Sequence, residues 1–501
     1  MSKDTFPFTT TSLRSMRLEQ EHQEWEDARR ALAERRAMTR APLARAPRPP
    51  PPAAPRQRRL QEVRAPPPPV RCRDTAIHNT FMCGDMRGVY AVLKDPSLVN
   101  ALMETVHEEM MWTPEMGMWT LTSKVKQTSA LRLAASRGHA GCVEELLFRG
   151  AEVDADPGGN TALHDACVGG HAPCVRLLLS HGAAQDLPAT DGSAPLHLAA
   201  LAQSLECSEL LLDSGAEVNM LTRESQSTPL HLAARKGLED LVALFLARGA
   251  NVLAKNREGE TPLNAACSGA ERHAEAGRYL RVVQLLLEAG AEPCTAGRKL
   301  HTPLHNACAN CSARIAEVLL QWGAKADIEN CVGYTPMDCL LQVVEDYPGQ
   351  QPEVIARSLL NHGANITSPK QCLHSIASIF GGFCTKPLHT PHIDNQTFLQ
   401  CKKVLKYCVP SPATLEVLLN SYTIIPACEW MEALSSDVYK ENQAFFDLVR
   451  LMSGQPRSLQ HLCRSVIRRY LGSLCYSAIS RLPIPSAVQD YLLLHNDGTL
   501  R

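Results

Sequence analysis

Between residues 129 and 364 the apolar positions fall into two alternating blocks that recur about every 33 residues. The first block opens with a small residue, then Ala or Pro, Leu, and a polar side chain, as in Thr161-Ala162-Leu163-His164. The same opening returns as Ala194-Pro195-Leu196-His197, Thr228-Pro229-Leu230-His231, Thr261-Pro262-Leu263-Asn264, Thr302-Pro303-Leu304-His305 and Thr335-Pro336-Met337-Asp338, with Ser129-Ala130-Leu131-Arg132 as a weaker first copy. Successive starts lie 32, 33, 34, 33, 41 and 33 residues apart, the long step holding an insertion around Glu271 to Gly277. The second block is a dense run such as Val175-Arg176-Leu177-Leu178-Leu179, closed by a Gly-Ala pair at Gly150, Gly182, Gly215, Gly249, Gly290, Gly323 and Gly363. Thr or Ser caps a helix start, Pro suits its first turn, and Gly ends a helix in the left-handed region. Each unit therefore predicts two short helices whose Ala and Leu positions pack between neighbours.

These openings resemble the T-P-L-H-x-A signature of the ankyrin repeat, which implies a solenoid of helix-turn-helix units with short β-turn fingers. Thr75-Ala76-Ile77-His78, with Gly84, Val89 and Leu93 at matching offsets, reads as a divergent leading copy, giving eight repeats. The stretch from Asp95 to Gln127, which contains Trp112 and Trp119, is expected to cap or cover the solenoid end. After Gly363 the register fails. Cys372 to Thr397 reads as a loop or insertion without periodicity, and Leu415 to Leu419 recovers a helical pattern.

Composition narrows the function classes. The 501 residues are 45% hydrophobic and 21% charged, with a formal net charge of −1. Residues 1–71 carry +7 and the rest −8, so the body lacks the basic excess that a nucleic-acid ligand would require. Leu13 to Arg36 reads as a charged, solvated helix, and the Pro runs 49–52 and 66–69 as an extended linker. Pro66-x-x-Pro69-x-Arg71 has the spacing of a polyproline-groove ligand, although Pro/Arg-rich linkers produce such matches freely. The 19 cysteines are scattered through helical patterns and read as reduced thiols. Without an export signal or a membrane span in the sequence, the expected location is cytoplasmic, with the nucleus as a second compartment.

The C-terminal tail carries the most specific pattern. Ser458-Leu459-Gln460-His461-Leu462-Cys463-Arg464-Ser465-Val466-Ile467 places Leu459, Cys463 and Ile467 on one helical face, with Leu462 and Val466 beside them. Arg464, Arg468 and Arg469 are expected to turn outward. Leu482-Pro483-Ile484-Pro485 follows about fifteen residues later. Together they resemble the elongin-binding and cullin-selecting parts of a SOCS box, and every specified position of both motifs is matched. The chain from about residue 72 to 501 is thus similar to the ankyrin repeat and SOCS box family. The resemblance implies an all-α ankyrin solenoid followed by a small helical SOCS box. It further implies that Ser458, Leu459, Leu462, Cys463, Val466 and Ile467 bind elongin C, which brings elongin B, and that Leu482, Pro483, Ile484 and Pro485 select cullin-5 with its RING subunit. The expected domains are a charged helix (1–40), a Pro/Arg-rich disordered linker (41–71), a divergent repeat with an insertion (72–127), repeats (128–370), an insertion or loop (371–400), a helical connector (401–455) and the SOCS box (456–501).

A protein target is expected on the concave side, with Arg223, Glu224, Gln226, Arg257, Glu258, Arg298, Lys299 and Tyr334, just before the helix openings, as its candidate contacts. An inert exposed turn is the competing reading for each. Cys308-x-x-Cys311 has zinc-like spacing without a second pair, and Cys308 shares the packing offset of Cys167 and Cys267. The periodic His164, His197, His231 and His305 read as structural. No nucleotide-binding or nucleophile motif occurs in a matching context, so the chain reads as a non-catalytic adaptor without cofactor, metal, nucleic acid or membrane. Two rivals stay open: an ankyrin scaffold whose C-terminal helices are only a cap, and a function carried by the Pro-rich arm.

Overall fold

The openings fold as helices because their first turns are closed from both sides. Thr228 Oγ1 accepts from the His231 amide at 3.4 Å, and His231 Nδ1 accepts from the Thr228 amide at 3.2 Å. The same reciprocal cap forms at Thr302 with His305, and at Thr335 with Asp338. With Nδ1 accepting, the proton sits on Nε2, which reaches the next repeat: His231 Nε2 lies 3.0 Å from Glu260 O and His305 Nε2 3.0 Å from Tyr334 O. One side chain thus closes its own helix and joins two repeats.

A computed structural model describes residues 70–113, 118–271, 273–344, 346–347, 349–364, 411–421, 439–440, 442–453, 455 and 457–495. The helix expected at Leu13 to Arg36, the Pro/Arg-rich arm up to residue 69, the Cys372 to Thr397 insertion and residues 422–438 of the connector lie outside the described residues. Inner helices are Thr75–Cys83, Ala130–Ser136, Ala162–Gly169, Pro195–Leu201, Pro229–Arg235, Pro262–Gly269, Pro303–Ala309 and Pro336–Leu341. Their outer partners are Met86–Val92, Ala140–Phe148, Ala172–Ser180, Leu205–Asp213, Glu239–Ala247, Ala276–Glu288, Ala313–Gln321 and Pro352–Asn361. Inner helices pack on inner and outer on outer, making a helical ankyrin-type solenoid. One continuous core runs through it, with Leu163, Leu196, Leu230, Leu263 and Leu304 in equivalent buried places. Burying one such leucine contributes about 1.5–3 kcal/mol. Successive finger turns are tied by single backbone bonds, Arg257 N to Ser225 O at 2.8 Å and Arg298 N to Glu258 O at 2.7 Å.

Two insertions take specific forms. The extra residues before Gly277 lengthen the outer helix Ala276–Glu288 to 13 residues, and Tyr279 Oη donates to Arg235 O at 3.1 Å. The stretch expected to cap or cover the solenoid end is largely a β-ribbon. Strands β2 (Leu102–Thr113) and β3 (Met118–Ser129) pair antiparallel, with Trp112 opposite Trp119, and β1 (Arg71–Cys72) lies parallel to β2. Met103 and Glu104 anchor its base: Met103 is buried in the core, while Glu104 accepts from Arg73 Nε at 2.9 Å. At the leading repeat the cap is Asp74, one residue earlier than the Thr75 expected from the repeat offset.

The array's far end is closed by the helix Pro412–Leu419, whose Leu415, Leu418 and Leu419 are fully buried and which packs against Pro352–Asn361. The tail follows as Gln443–Met452, Leu459–Leu471, Cys475–Ile479 and Ser486–Leu492. Cys308 and Cys311 are buried free thiols, Cys311 pushed up to about 12 by burial. Among the described residues no group of three His, Cys, Asp or Glu could hold a metal, and no helix is long and apolar enough to cross a membrane.

Burial lowers the His164, His197 and His231 pKa values and takes His305 down to about 4. Because the folded values lie below the unfolded value of about 6.5, their contribution to stability is complete above that pH and is lost as pH falls toward 4. The melting temperature should therefore drop over that window. Asn264 holds the equivalent place in its own repeat, with Nδ2 donating to His301 O at 3.1 Å. We expect His305→Asn to melt like the native chain at pH 7 and to lose less stability at pH 5, measured by thermal denaturation.

Candidate functional site

The helix Leu459–Leu471 starts where Ser458 Oγ accepts from the His461 amide at 3.3 Å. Ser458 is thus a cap, and it aims the turn that follows. Along this helix the apolar side chains face solvent: Leu459 is 77% exposed, Val466 61% and Ile467 39%, with Cys463 exposed and Leu462 half-buried between them. The opposite face is polar and hidden. His461 is fully buried, Arg457 and Arg464 are each 5% exposed, and Arg468 is half-buried. The expectation that Arg464 and Arg468 point outward is therefore overturned; of the three arginines only Arg469 does so.

The reason lies in what the guanidinium groups meet. Arg468 Nη1 donates to Asn361 Oδ1 at 2.7 Å and Leu492 O at 2.6 Å, joining the last outer helix of the array to the tail. Arg464 Nη2 donates to Asn420 O at 2.9 Å, and its guanidinium stacks 4.4 Å above the Tyr491 ring. Arg457 Nη2 donates to Asn420 Oδ1 at 3.1 Å, and both Arg457 and Arg464 donate to His461 Nδ1. Asn361 Nδ2 completes the joint by donating to Leu493 O at 2.8 Å. These partners are neutral, and burial lowers the pKa of all three arginines, that of Arg464 to about 10. Gly363 allows the close approach: its φ is +89°, and a Cβ there would sit 2.8 Å from Ser473 Cα. Asn361, Asn420 and Tyr491 were missed in the sequence because nothing local marks them.

Leu482, Pro483 and Pro485 are exposed, while Ile484 is half-buried against the small tail core of Cys475, Ile479, Leu492 and Leu493. The Leu482 carbonyl accepts from Ile484 N and from Gln489 Nε2, each at 2.9 Å, so the loop is fixed from below and its outer residues are free. The structure brings Leu459, Cys463, Val466 and Ile467 onto one face and keeps Leu482 to Pro485 on a separate loop of the same tail.

On the array, Arg223, Glu224, Gln226, Arg257, Glu258, Arg298 and Lys299 are exposed on consecutive fingers. Tyr334 is only half-buried, and its carbonyl is taken by Asn330 N and His305 Nε2. Arg257 Nη1 also leans on Glu224 O at 3.3 Å. These residues form a ladder of finger tips set apart from the tail in sequence.

A solenoid with a solvent-facing finger ladder, followed by a tail that shows an apolar stripe, has the architecture of a two-ended adaptor. Ankyrin-repeat models match residues 89–191, 131–222, 196–296 and 299–328, and a SOCS box model matches residues 455–493. Human ankyrin repeat and SOCS box protein 16 is 42% identical over 502 residues, covering 100% of both chains, and the mouse protein of that name is 41% identical over 503 residues with the same coverage. Human ankyrin repeat and SOCS box protein 18 is 40% identical over 409 residues, 80% of this chain and 82% of that one. The chain belongs to the ankyrin repeat and SOCS box family, a family of substrate-recognition adaptors of cullin-RING ligases.

Replacing Arg464 by Ala removes the donor to Asn420 and uncovers the Tyr491 ring. The docking of the tail should weaken by about 1–3 kcal/mol, the cost of leaving buried polar groups unpaired. Hydrogen exchange should accelerate across residues 459–492 while the repeats from 130 to 321 keep their protection.

Proposed function

We propose that the chain is the substrate-recognition subunit of an elongin B/C, cullin-5 and RING ubiquitin ligase, which presents a bound target for ubiquitination and proteasomal degradation. In this reading Leu459 and Cys463 enter an apolar pocket of elongin C, with Leu462, Val466 and Ile467 around them and Ser458 setting the helix start. Leu482, Pro483, Ile484 and Pro485 favour cullin-5. The observation that carries the reading is the outward-facing stripe: Leu459 is 77% exposed although the same helix buries arginines. A tail serving only as a cap would bury its leucines and give its guanidinium groups to water. The finger ladder from Arg223 to Lys299, with Tyr334 beside it, then contacts the target, and the complex works in the cytoplasm and nucleus.

Rate enhancement here is proximity, because a target held near the charged ubiquitin carrier meets it at high effective concentration. The adaptor needs neither nucleophile nor cofactor of its own.

Losing a buried leucine anchor costs about 2–5 kcal/mol, roughly thirty-fold or more in affinity. Leu459→Ala with Cys463→Ala should abolish co-purification of elongins B and C. Alanine at Leu482, Pro483, Ile484 and Pro485 should keep the elongins and weaken cullin-5. If the folded native chain captures no elongin, the adaptor reading fails and the scaffold reading replaces it.

A further inference from the structure

A finger of the array begins at a clasp. Asn219 Nδ2 donates to Gly249 O at 3.3 Å and Asn219 Oδ1 accepts from Asn251 N at 2.8 Å, which ties that finger to the next. Asn100 makes the same two bonds, to Gly150 O at 3.2 Å and from Glu152 N at 2.8 Å. The chain then runs nine residues from Asn219 to the helix cap Thr228, but twenty-nine from Asn100 to the cap Ser129. The β-ribbon is therefore the first finger of the row, grown longer by twenty residues. Ten more on each strand carry it about 34 Å beyond its neighbours at strand spacing.

That length leaves an edge unpaired. Fingers of ordinary length meet side by side through a backbone bond, such as Thr190 N to Gly159 O at 3.1 Å and Cys331 N to Lys299 O at 3.0 Å. The second finger meets the ribbon near its base, where a Cβ on Gly158 would stand 3.0 Å from Gln127 O. Beyond that level β3 is the outer strand of the sheet, and among the described residues β1 pairs with β2 at Leu102 and Met103 alone. Val125 and Lys126, successive residues and so on opposite faces, are both exposed. The twelve pairs run without a bulge and neither strand contains proline, so two of the devices that blunt a strand edge are missing. A row of backbone N–H and C=O groups at strand spacing is matched by another extended backbone. The β3 edge lies toward the finger row, because the second finger adjoins Gln127, whereas β2 borders β1. β3 holds Lys124 and Lys126 and no carboxylate, while Glu104, Glu108 and Glu109 lie on β2 in register with Gln127, Ser123 and Thr122.

We infer that the ribbon is a recognition arm, to which an extended segment of the target adds as a further strand along β3 between Met118 and Lys126, with an acidic residue beside Lys124 or Lys126. Calling the occupant a target rests on the adaptor reading, but the strand pairing is measured without any ligase component. The short fingers then contact the body of the target, and the long one holds an extended piece of it.

The test uses the full chain, bound to elongins B and C where they co-purify and alone otherwise, to pan a display library of random linear twelve-residue peptides. Counter-selection uses a chain whose ribbon is shortened by Asn-Gly in place of residues 107–124. That two-residue turn joins Val106 to Val125, already paired in register, and spares Met103 and Glu104 at the base. The best enriched peptide, synthesised, should bind at least tenfold more weakly to the shortened chain. It should bind several-fold more weakly to Lys124→Glu with Lys126→Glu, which keeps the ribbon its length. N-methylation scanned along the peptide should weaken binding at every second residue only, because a strand turns alternate N–H groups to one neighbour. Thermal melts verify the fold of both variants. Equal binding to either variant, an N-methylation effect without alternation, or no peptide surviving counter-selection would each overturn the assignment. So would a dimer, seen by sedimentation, that the shortened chain loses, since the edge would then belong to a second copy. Failure to capture elongins would instead count against the adaptor reading and leave the peptide result standing.

Discussion

A linear array cannot close itself. Each repeat covers its neighbour, so the last repeat exposes an apolar face that must be met by something that is not a repeat. Here the helix Pro412–Leu419 meets it with buried Leu415, Leu418 and Leu419, and Phe446 and Val449 of the following helix join the same core. Most of the array's apolar demand is met before the chain reaches Ser458, with Leu494 of the tail joining the same core. The helix that follows is thereby free to dock through its polar side, and its hydrophobic stripe is left for another molecule.

That division has an energetic logic. Buried cations with neutral partners add little net stability, but they are exacting about geometry, since each misplaced donor leaves an unpaired group. Arg464 with Asn420 and Tyr491, and Arg468 with Asn361, therefore fix the direction of the tail more than they strengthen it. The threonine-histidine joints act similarly within the array, where His231 and His305 tie each turn to the next at 3.0 Å. Orientation is thus carried by directional bonds from the inner helices to the tail, which suits a protein that has to hold one partner at a fixed place relative to another.

The repeats were readable from sequence because their capping residues, glycines and leucines act locally and recur at a constant period. The tail helix was readable too, but which of its faces is buried was not. A stripe of Leu459, Cys463 and Ile467 says that a helix has two unlike sides, and the usual assumption sends the apolar one inward. The deciding partners, Asn361 and Asn420, lie 107 and 44 residues from the arginines they bind, and single asparagines carry no pattern. The β-ribbon has a local signal as well: Pro114 and Gly117 stand between two runs of strand-forming residues, which is a hairpin pattern.

Accessibility of one thiol tests the central claim directly. Cys463 stands on the outward stripe, while Cys475 in the same tail is 1% exposed. Brief alkylation of the native chain, read by peptide mapping, should label Cys463 as readily as the exposed Cys83 and Cys331 and leave Cys475 unmodified. Adding elongins B and C should protect Cys463 alone among the exposed three. A Cys463 as unreactive as Cys475 in the free chain would mean that the stripe is packed inward, and the account of a tail docked by its arginine face would be wrong.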